Sequence, residues 1–228
     1  MFVLIALTAI GITVTGIVFK QDLIRMVPLY VSLTVMLLSS EARRIALLIG
    51  GFNSMLYAYV DYSYGLYSSA ISTAIFSGGI QLLTFIVWTK RKDGKTTHFR
   101  SMNKTFRILL AVGCVAAYIP LLIINVKAGS FLAPIDTYNA INGAVTPVLM
   151  LLAFIETSYI SAVTGIITIF TNIVITTQSP DRMCYVVYSF YSAICSIRGL
   201  FNTIEIYKRQ QERKKSQKIS EVISDENN

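Results

Sequence analysis

The feature that most constrains this chain is the recurrence of apolar runs of bilayer length. They occupy approximately residues 2–19, 22–40, 44–60, 66–88, 108–126, 137–155, 158–177 and 184–206. A helix needs about 20 residues to cross the hydrocarbon core. Short polar punctuation separates the runs, as in "EARR" at 41–44, "VDYSYG" at 60–65, "ETS" at 156–158 and "TQSPDR" at 177–182. Connections this short make neighbouring helices antiparallel. With 54% hydrophobic and 14% charged residues and a mean hydropathy of +0.60, the chain has too little polar surface to cover a water-soluble core. The expected fold class is all-α integral membrane, with about eight transmembrane helices.

The net charge of +8 is unevenly placed. Lys90, Arg91, Lys92, Lys95, Arg100, Lys104 and Arg107 lie between the fourth and fifth runs. Lys208, Arg209, Arg213, Lys214, Lys215 and Lys218 follow the last. Four helices separate the two clusters, so both fall on one side of the membrane, together with Arg43 and Arg44. By the positive-inside rule that side is cytoplasmic. This distribution reads as membrane anchoring, with no nucleic acid implied. Lys20 and Arg25 fall on the other side, which leaves the first helix the weakest part of the topology. Residues 1–19 lack a basic leader and a small-residue cleavage site, so a retained helix is expected there. The terminal "QKISEVISDENN" reads as a disordered tail. Cys114, Cys184 and Cys195 lie in apolar runs without metal-ligand spacing, and His98 lies in the basic loop. No catalytic signature such as HExxH, GxSxG or a phosphate-binding Gly-rich loop is present, so an enzyme is not expected. No cofactor and no metal are implied.

The segment "TYNAINGAVTPVLMLLAFIE" at 137–156 sets Asn139, Asn142 and Thr146 at i, i+3 and i+7, one face of a helix. Such a stripe either lines a wet site or bonds to neighbouring helices. Pro147 frees a carbonyl one turn earlier. The chain also repeats itself. Asp22 leads through "VMLL" to Glu41, and Asp136 leads through "LMLL" to Glu156. Each half ends in an aromatic followed by basic residues, Trp88 before "TKRK" and Tyr207 before "KRQ". The expected organisation is an extra N-terminal helix (1–20), a three-helix repeat (21–92), a basic loop and linking helix (93–134), a second three-helix repeat (135–208) and a tail (209–228). Three helices reverse direction, so one linking helix makes the two repeats parallel. Repeats of this kind characterise transporters, with the substrate site between them.

At this point the residues resemble a known family. The acidic turn at Glu41, the Gly-x-x-Asn of Gly50 to Asn53, Leu66–Tyr67, and Gln81 seven residues before Trp88 are similar to the Pnu-type vitamin transporters. The best-known members carry nicotinamide riboside and are called PnuC. Asp136, Glu156 and Asn202 five residues before Tyr207 match the second half of the pattern. The resemblance spans most of residues 36–210. It implies a fold related to the sugar-transporting SWEET proteins, with two parallel three-helix bundles. It also implies facilitated diffusion of a vitamin or nucleoside trapped by a separate kinase. Members that carry nicotinamide riboside show Trp-x-x-Trp-x-x-x-Asn after the second acidic turn. Here those positions are Ser158, Ser161 and Gly165, with Tyr159 the nearby aromatic. Thiamine, riboflavin or a deoxynucleoside therefore stand beside nicotinamide riboside as cargo.

The candidate substrate-binding residues are Asn53, Tyr67, Gln81, Asn142, Tyr159, Tyr188 and Asn202. Gln81 and Asn202 hold matching places in the third helix of each unit, and amides at that depth need partners. Asn142 belongs to the polar stripe, and Asn53 to the Gly-x-x-Asn motif. The tyrosines offer a ring for stacking and a hydroxyl for anchoring. Trp88 reads as an interfacial anchor. Arg198 and Glu205, seven residues apart with Asn202 between, read as a structural pair. The partners implied are a small molecule, the lipid bilayer and, compatible with this helix count, further copies in a homo-oligomer. The expected location is the cell inner (plasma) membrane, multi-pass, C-terminus cytoplasmic. A rival reading is a non-transporting membrane subunit that binds a soluble partner through its basic segments. In that case the intramembrane polar groups would pair with one another and leave no cavity.

Overall fold

The computed structural model describes residues 1–130 and 132–226. Helices α1 (Phe2–Val18), α2 (Leu23–Ser40), α3 (Ile45–Ser63), α4 (Tyr67–Ser72), α5 (Ile80–Lys90), α6 (Lys104–Lys127), α7 (Ala133–Leu151), α8 (Glu156–Gln178) and α9 (Met183–Glu226) follow in order. A π-helical turn, Thr73–Gly79, joins α4 and α5 into one helix. Among the described residues, five helices are long and apolar enough to cross a membrane: α2, the joined α4–α5, α6, α8 and α9.

The ends of the helices follow from local chemistry. After α1, α2, α3, α6 and α7 the chain enters the left-handed region at Lys20, Ala42, Gly65, Gly129 and Ala153. At each, two returning N–H groups meet the last carbonyls; Phe154 N to Leu149 O and Ala153 N to Met150 O close α7 in this way. The turns that result are tight enough to force antiparallel neighbours.

Polar contacts sort the connections into two ends. Arg44 donates to Gly94 O, Arg100 N to Ala153 O, and Phe99 N to the Gln210 side chain. These gather the basic segments at one end. Gln21 and Arg25 join Tyr64 and Asp181 at the other. Inside the basic loop, Lys92–Asp93 and Thr96–Thr97 form a small antiparallel hairpin. Gly94 at φ +58° supplies its turn.

α2 packs along α9, and the joined α4–α5 packs along α7. Both seams are stitched by side chains donating to main-chain carbonyls, from α9 to α2 on the first and from the joined α4–α5 to α7 on the second. On the first, Tyr185 reaches Arg25 O (2.7 Å), Tyr191 reaches Leu33 O (2.8 Å) and Asn202 reaches Ser40 O (2.6 Å). On the second, Ser72 reaches Ala140 O (2.7 Å), Ser77 reaches Gly143 O (3.3 Å) and Trp88 reaches Met150 O (3.1 Å). α1 lies on α9 and α2, and α6 on α7.

Several expectations are corrected here. α9 runs without a break past residue 208 to Glu226, so the stretch read as a disordered tail is helical as far as it is described; Glu, Lys, Gln and Arg sustain a helix by propensity alone. Asn227 and Asn228 lie outside the described residues. Trp88 is buried, edge-on to Phe99 at 5.6 Å, and so is a core residue of the basic end. Arg198 faces Glu41 at 3.6 Å across the α2–α9 seam, while Glu205 pairs with Arg209 one turn along its own helix. Arg25 is neutralised where it stands by Asp22 and Asp181.

Candidate functional site

Two apolar clusters pack toward the two ends of the bundle. One, toward the end away from the basic loop, contains Ile12, Leu29, Val60 and Tyr191. The other, at the basic end, contains Leu47, Trp88, Phe99 and Ala153. Beside them lies a cavity of about 320 Å³ that reaches from Asn142 and Ser192 to Ser40, Ala46 and Thr157 at the basic end. Its wall takes residues from α2, α3, α5, α7, α8 and α9, and none from α1 or α6. That volume is at the lower end of the range for small-molecule sites, about 300–1,000 Å³.

Most of the polar wall comes from two stripes. Thr157, Ser161, Thr164 and Thr168 recur at i, i+4, i+7 and i+11 on α8, and Ser192, Ser196, Gly199 and Thr203 repeat the same spacing on α9. Both stripes are one helical face. Small residues let these helices close up. A Cβ on Gly165 would stand 3.2 Å from Ala193 Cα, and one on Gly199 would stand 3.3 Å from Ser40 Cα. Thr168 donates to Thr164 O, and both Thr146 and Thr164 donate to Asn142 Oδ1.

Of the residues singled out from the sequence, Gln81 and Asn142 lie on the cavity wall. Asn142 also faces a second space, a largely apolar groove of about 1,180 Å³ between α6 and α7–α9, and Tyr159 lines that groove alone. Asn202 spends its amide on the Ser40 carbonyl at the end of α2, which the helix itself leaves unpaired. Asn53 is buried between α2 and α3, donating to Pro28 O at 3.0 Å and Ser32 Oγ at 2.7 Å. Tyr188 packs against the first apolar cluster. Tyr67 sits at the start of α4, half-exposed and edge-on to Tyr62. Of the opening stripe, Asn142 and Thr146 reach the cavity and Asn139 does not. The hydroxyl stripes of α8 and α9 line the cavity, and sequence reasoning did not single them out. Their signal was present in the spacing, but small hydroxyl residues in apolar helices read equally as packing.

The end away from the basic loop carries a charged layer. Asp181 accepts from Tyr64 Oη at 2.9 Å and Arg25 Nη1 at 3.3 Å. The buried Arg182 guanidinium lies over the rings of Tyr64 and Tyr185, at 4.4 and 4.7 Å, and 3.9 Å from Asp61. Burial pushes the Tyr64 hydroxyl above its usual pKa, so it remains a donor to Asp181. Deeper in, Asp136 is fully buried and accepts from Ser69 N, in the first turn of α4, at 2.8 Å and from Ser130 Oγ at 2.7 Å.

Helices of bilayer-crossing length packed around a polar cavity are the architecture of a membrane transport protein. The chain belongs to the nicotinamide mononucleotide transporter family, whose model matches residues 22–204. Its fold is similar to the crystal structure of the vitamin B3 transporter PnuC, with a TM-score of 0.76 at 18% identity, covering 91% of this chain and 90% of that one. No curated protein sequence matches it significantly.

Proposed function

We propose that the chain is a facilitator carrying a vitamin or nucleoside across the membrane by alternating access between two three-helix units, residues 21–92 and 135–208. The observation that carries this reading is the cavity, walled by helices of both units and by neither the extra helix α1 nor the linking helix α6. The reciprocal seams support it as well. The third helix of each unit donates to carbonyls of the first helix of the other, as a two-fold relation along the membrane normal requires. The resemblance to PnuC supports a vitamin B3-like cargo. The basic end is cytoplasmic in this reading, with the C-terminus of α9, and a separate kinase traps the cargo there.

Transport requires the packing at the two ends to open in turn around the cavity. Gln81 and Asn142 are the contacts proposed on its wall, while Asn53 and Asn202 hold the frame. A cavity left open between the units favours transport over the partner-binding subunit, whose polar groups would be consumed by one another.

The test is counterflow in proteoliposomes with radiolabelled nicotinamide riboside, thiamine, riboflavin and nucleosides. Uptake of at least one compound, reduced by Gln81→Ala or Asn142→Ala, is the expected result. Absence of flux for all of them in folded, oriented protein overturns the proposal.

A further inference from the structure

Resting on the transporter reading, we propose that the cavity takes an uncharged molecule with one hydroxyl-rich face and one apolar face. A neutral nucleoside has that form, and a pyridinium cation or a phosphate ester is discriminated against. Every residue on the cavity wall is uncharged and none is aromatic. A cargo charge entering this space would leave water for a wall that holds no counter-charge. It would also lack a ring face to rest on. Charged side chains lie near both ends of the bundle, in the Glu41–Arg198 pair and in the Arg25, Asp181 and Arg182 layer, but none of these lines the cavity.

The hydrogen-bonding pattern specifies more than neutrality. Asn142 Oδ1 receives Thr146 Oγ1 at 2.9 Å and Thr164 Oγ1 at 3.3 Å. Two hydroxyl donors fix the oxygen on that side, and the amide nitrogen is what Asn142 can offer to a ligand. Thr146 and Thr168 have each given their single proton to the protein, so toward a ligand they act as acceptors, while Thr164 gives its proton to Asn142 Oδ1 and also meets Tyr138 Oη at 3.2 Å. Thr146 and Thr168 thus ask for donors, as sugar hydroxyls are, with one carboxamide donor beside them for a carbonyl or ring nitrogen. The α2, α3 and α7 side is different. Val35, Met36, Leu47 and Met150 present aliphatic and thioether surface suited to a ring.

The test compares uridine, thymidine, nicotinamide riboside and nicotinamide mononucleotide by thermal stabilisation of the purified protein and by counterflow. A neutral nucleoside is expected to stabilise the protein at concentrations at least tenfold below those needed for either charged compound. Thr168→Val, which keeps the shape and removes the acceptor, is expected to weaken that binding about tenfold, with Thr168→Ser restoring most of it. If Thr168→Val fails to fold, Ser161→Ala probes the same wall. Tighter binding of nicotinamide riboside or the mononucleotide overturns this inference while leaving the transporter reading in place. Absence of binding and flux for all four overturns this inference, and extending that silence to thiamine and riboflavin overturns the transporter reading too.

Discussion

Trp88 donates its indole N–H to the carbonyl of Met150, 3.1 Å away in the last turn of α7, and Asn202 stands in the corresponding place on the other seam, donating to Ser40 O at the end of α2. Each locks one helix to the basic end of its neighbour, the joined α4–α5 to α7 and α9 to α2. Replacing Asn202 by Ala strands the Ser40 carbonyl and is expected to cost about 1–2 kcal/mol of stability. The reading is the thermal midpoint in detergent, set beside ligand affinity. A lowered midpoint with affinity nearly unchanged fits a frame residue. Unchanged stability with lost affinity would return Asn202 to the binding site.

The helix ends offer a stabilising change. Lys20, Ala42 and Ala153 hold positive φ at positions where glycine escapes the steric cost. Lys20 is exposed, so Lys20→Gly is expected to gain about 1 kcal/mol, since the left-handed conformation costs an L-residue roughly 1–2 kcal/mol. Ala153 packs its methyl into the cluster around Trp88, and its glycine variant gains less because that contact is lost. Thermal midpoints of the two single variants check the order.

The helices were legible because apolar runs of bilayer length carry their own punctuation, and the antiparallel order followed from the short turns. The sequence alone does not tell the polar residues apart. Asn53, Gln81, Asn142 and Asn202 look alike in sequence, yet Asn53 and Asn202 spend their amides on carbonyls of neighbouring helices while Gln81 and Asn142 reach the cavity. Which carbonyl is free depends on tertiary geometry, as at the ends of helices. Trp88 before a run of basic residues has the sequence of an interfacial anchor; the basic loop folding back through Phe99 is what buries it. Arg198 chose Glu41 over Glu205 for a similar reason, because α2 ends beside it.

Pro147 and Ser77 form a testable couple. Proline has no N–H to give to Gly143 O, one turn back, and Ser77 Oγ supplies the missing donor from the π-helical turn at 3.3 Å. Ser77→Ala is expected to destabilise by about 1 kcal/mol. In a Pro147→Ala background the backbone donor returns and the same change should cost distinctly less. A double-mutant cycle on thermal or denaturant stability measures the coupling. Additive effects would show that the serine does not compensate for the proline.

The charged layer away from the basic loop should act as the seal of that face. Asp181 of the second unit is held by Tyr64 and Arg25 of the first, and Arg182 reaches from the second unit to Asp61 of the first. In the proposed alternating-access cycle this layer parts, so its strength would set how often that face opens. Asp181→Asn keeps the size of the side chain and removes the charge that attracts Arg25. The pair is partly exposed, so the expected loss is modest, about 1 kcal/mol or less, and enough to raise the open population severalfold. With Cys114, Cys184 and Cys195 replaced, a cysteine introduced at Ser192 on the cavity wall reports opening through labelling by an impermeant maleimide added to that face. Faster labelling in Asp181→Asn, with the difference narrowing at high salt, is the expected outcome. Equal labelling in both would place the barrier in the apolar cluster of Leu29, Val60 and Tyr191 beneath the charges rather than in the charges themselves.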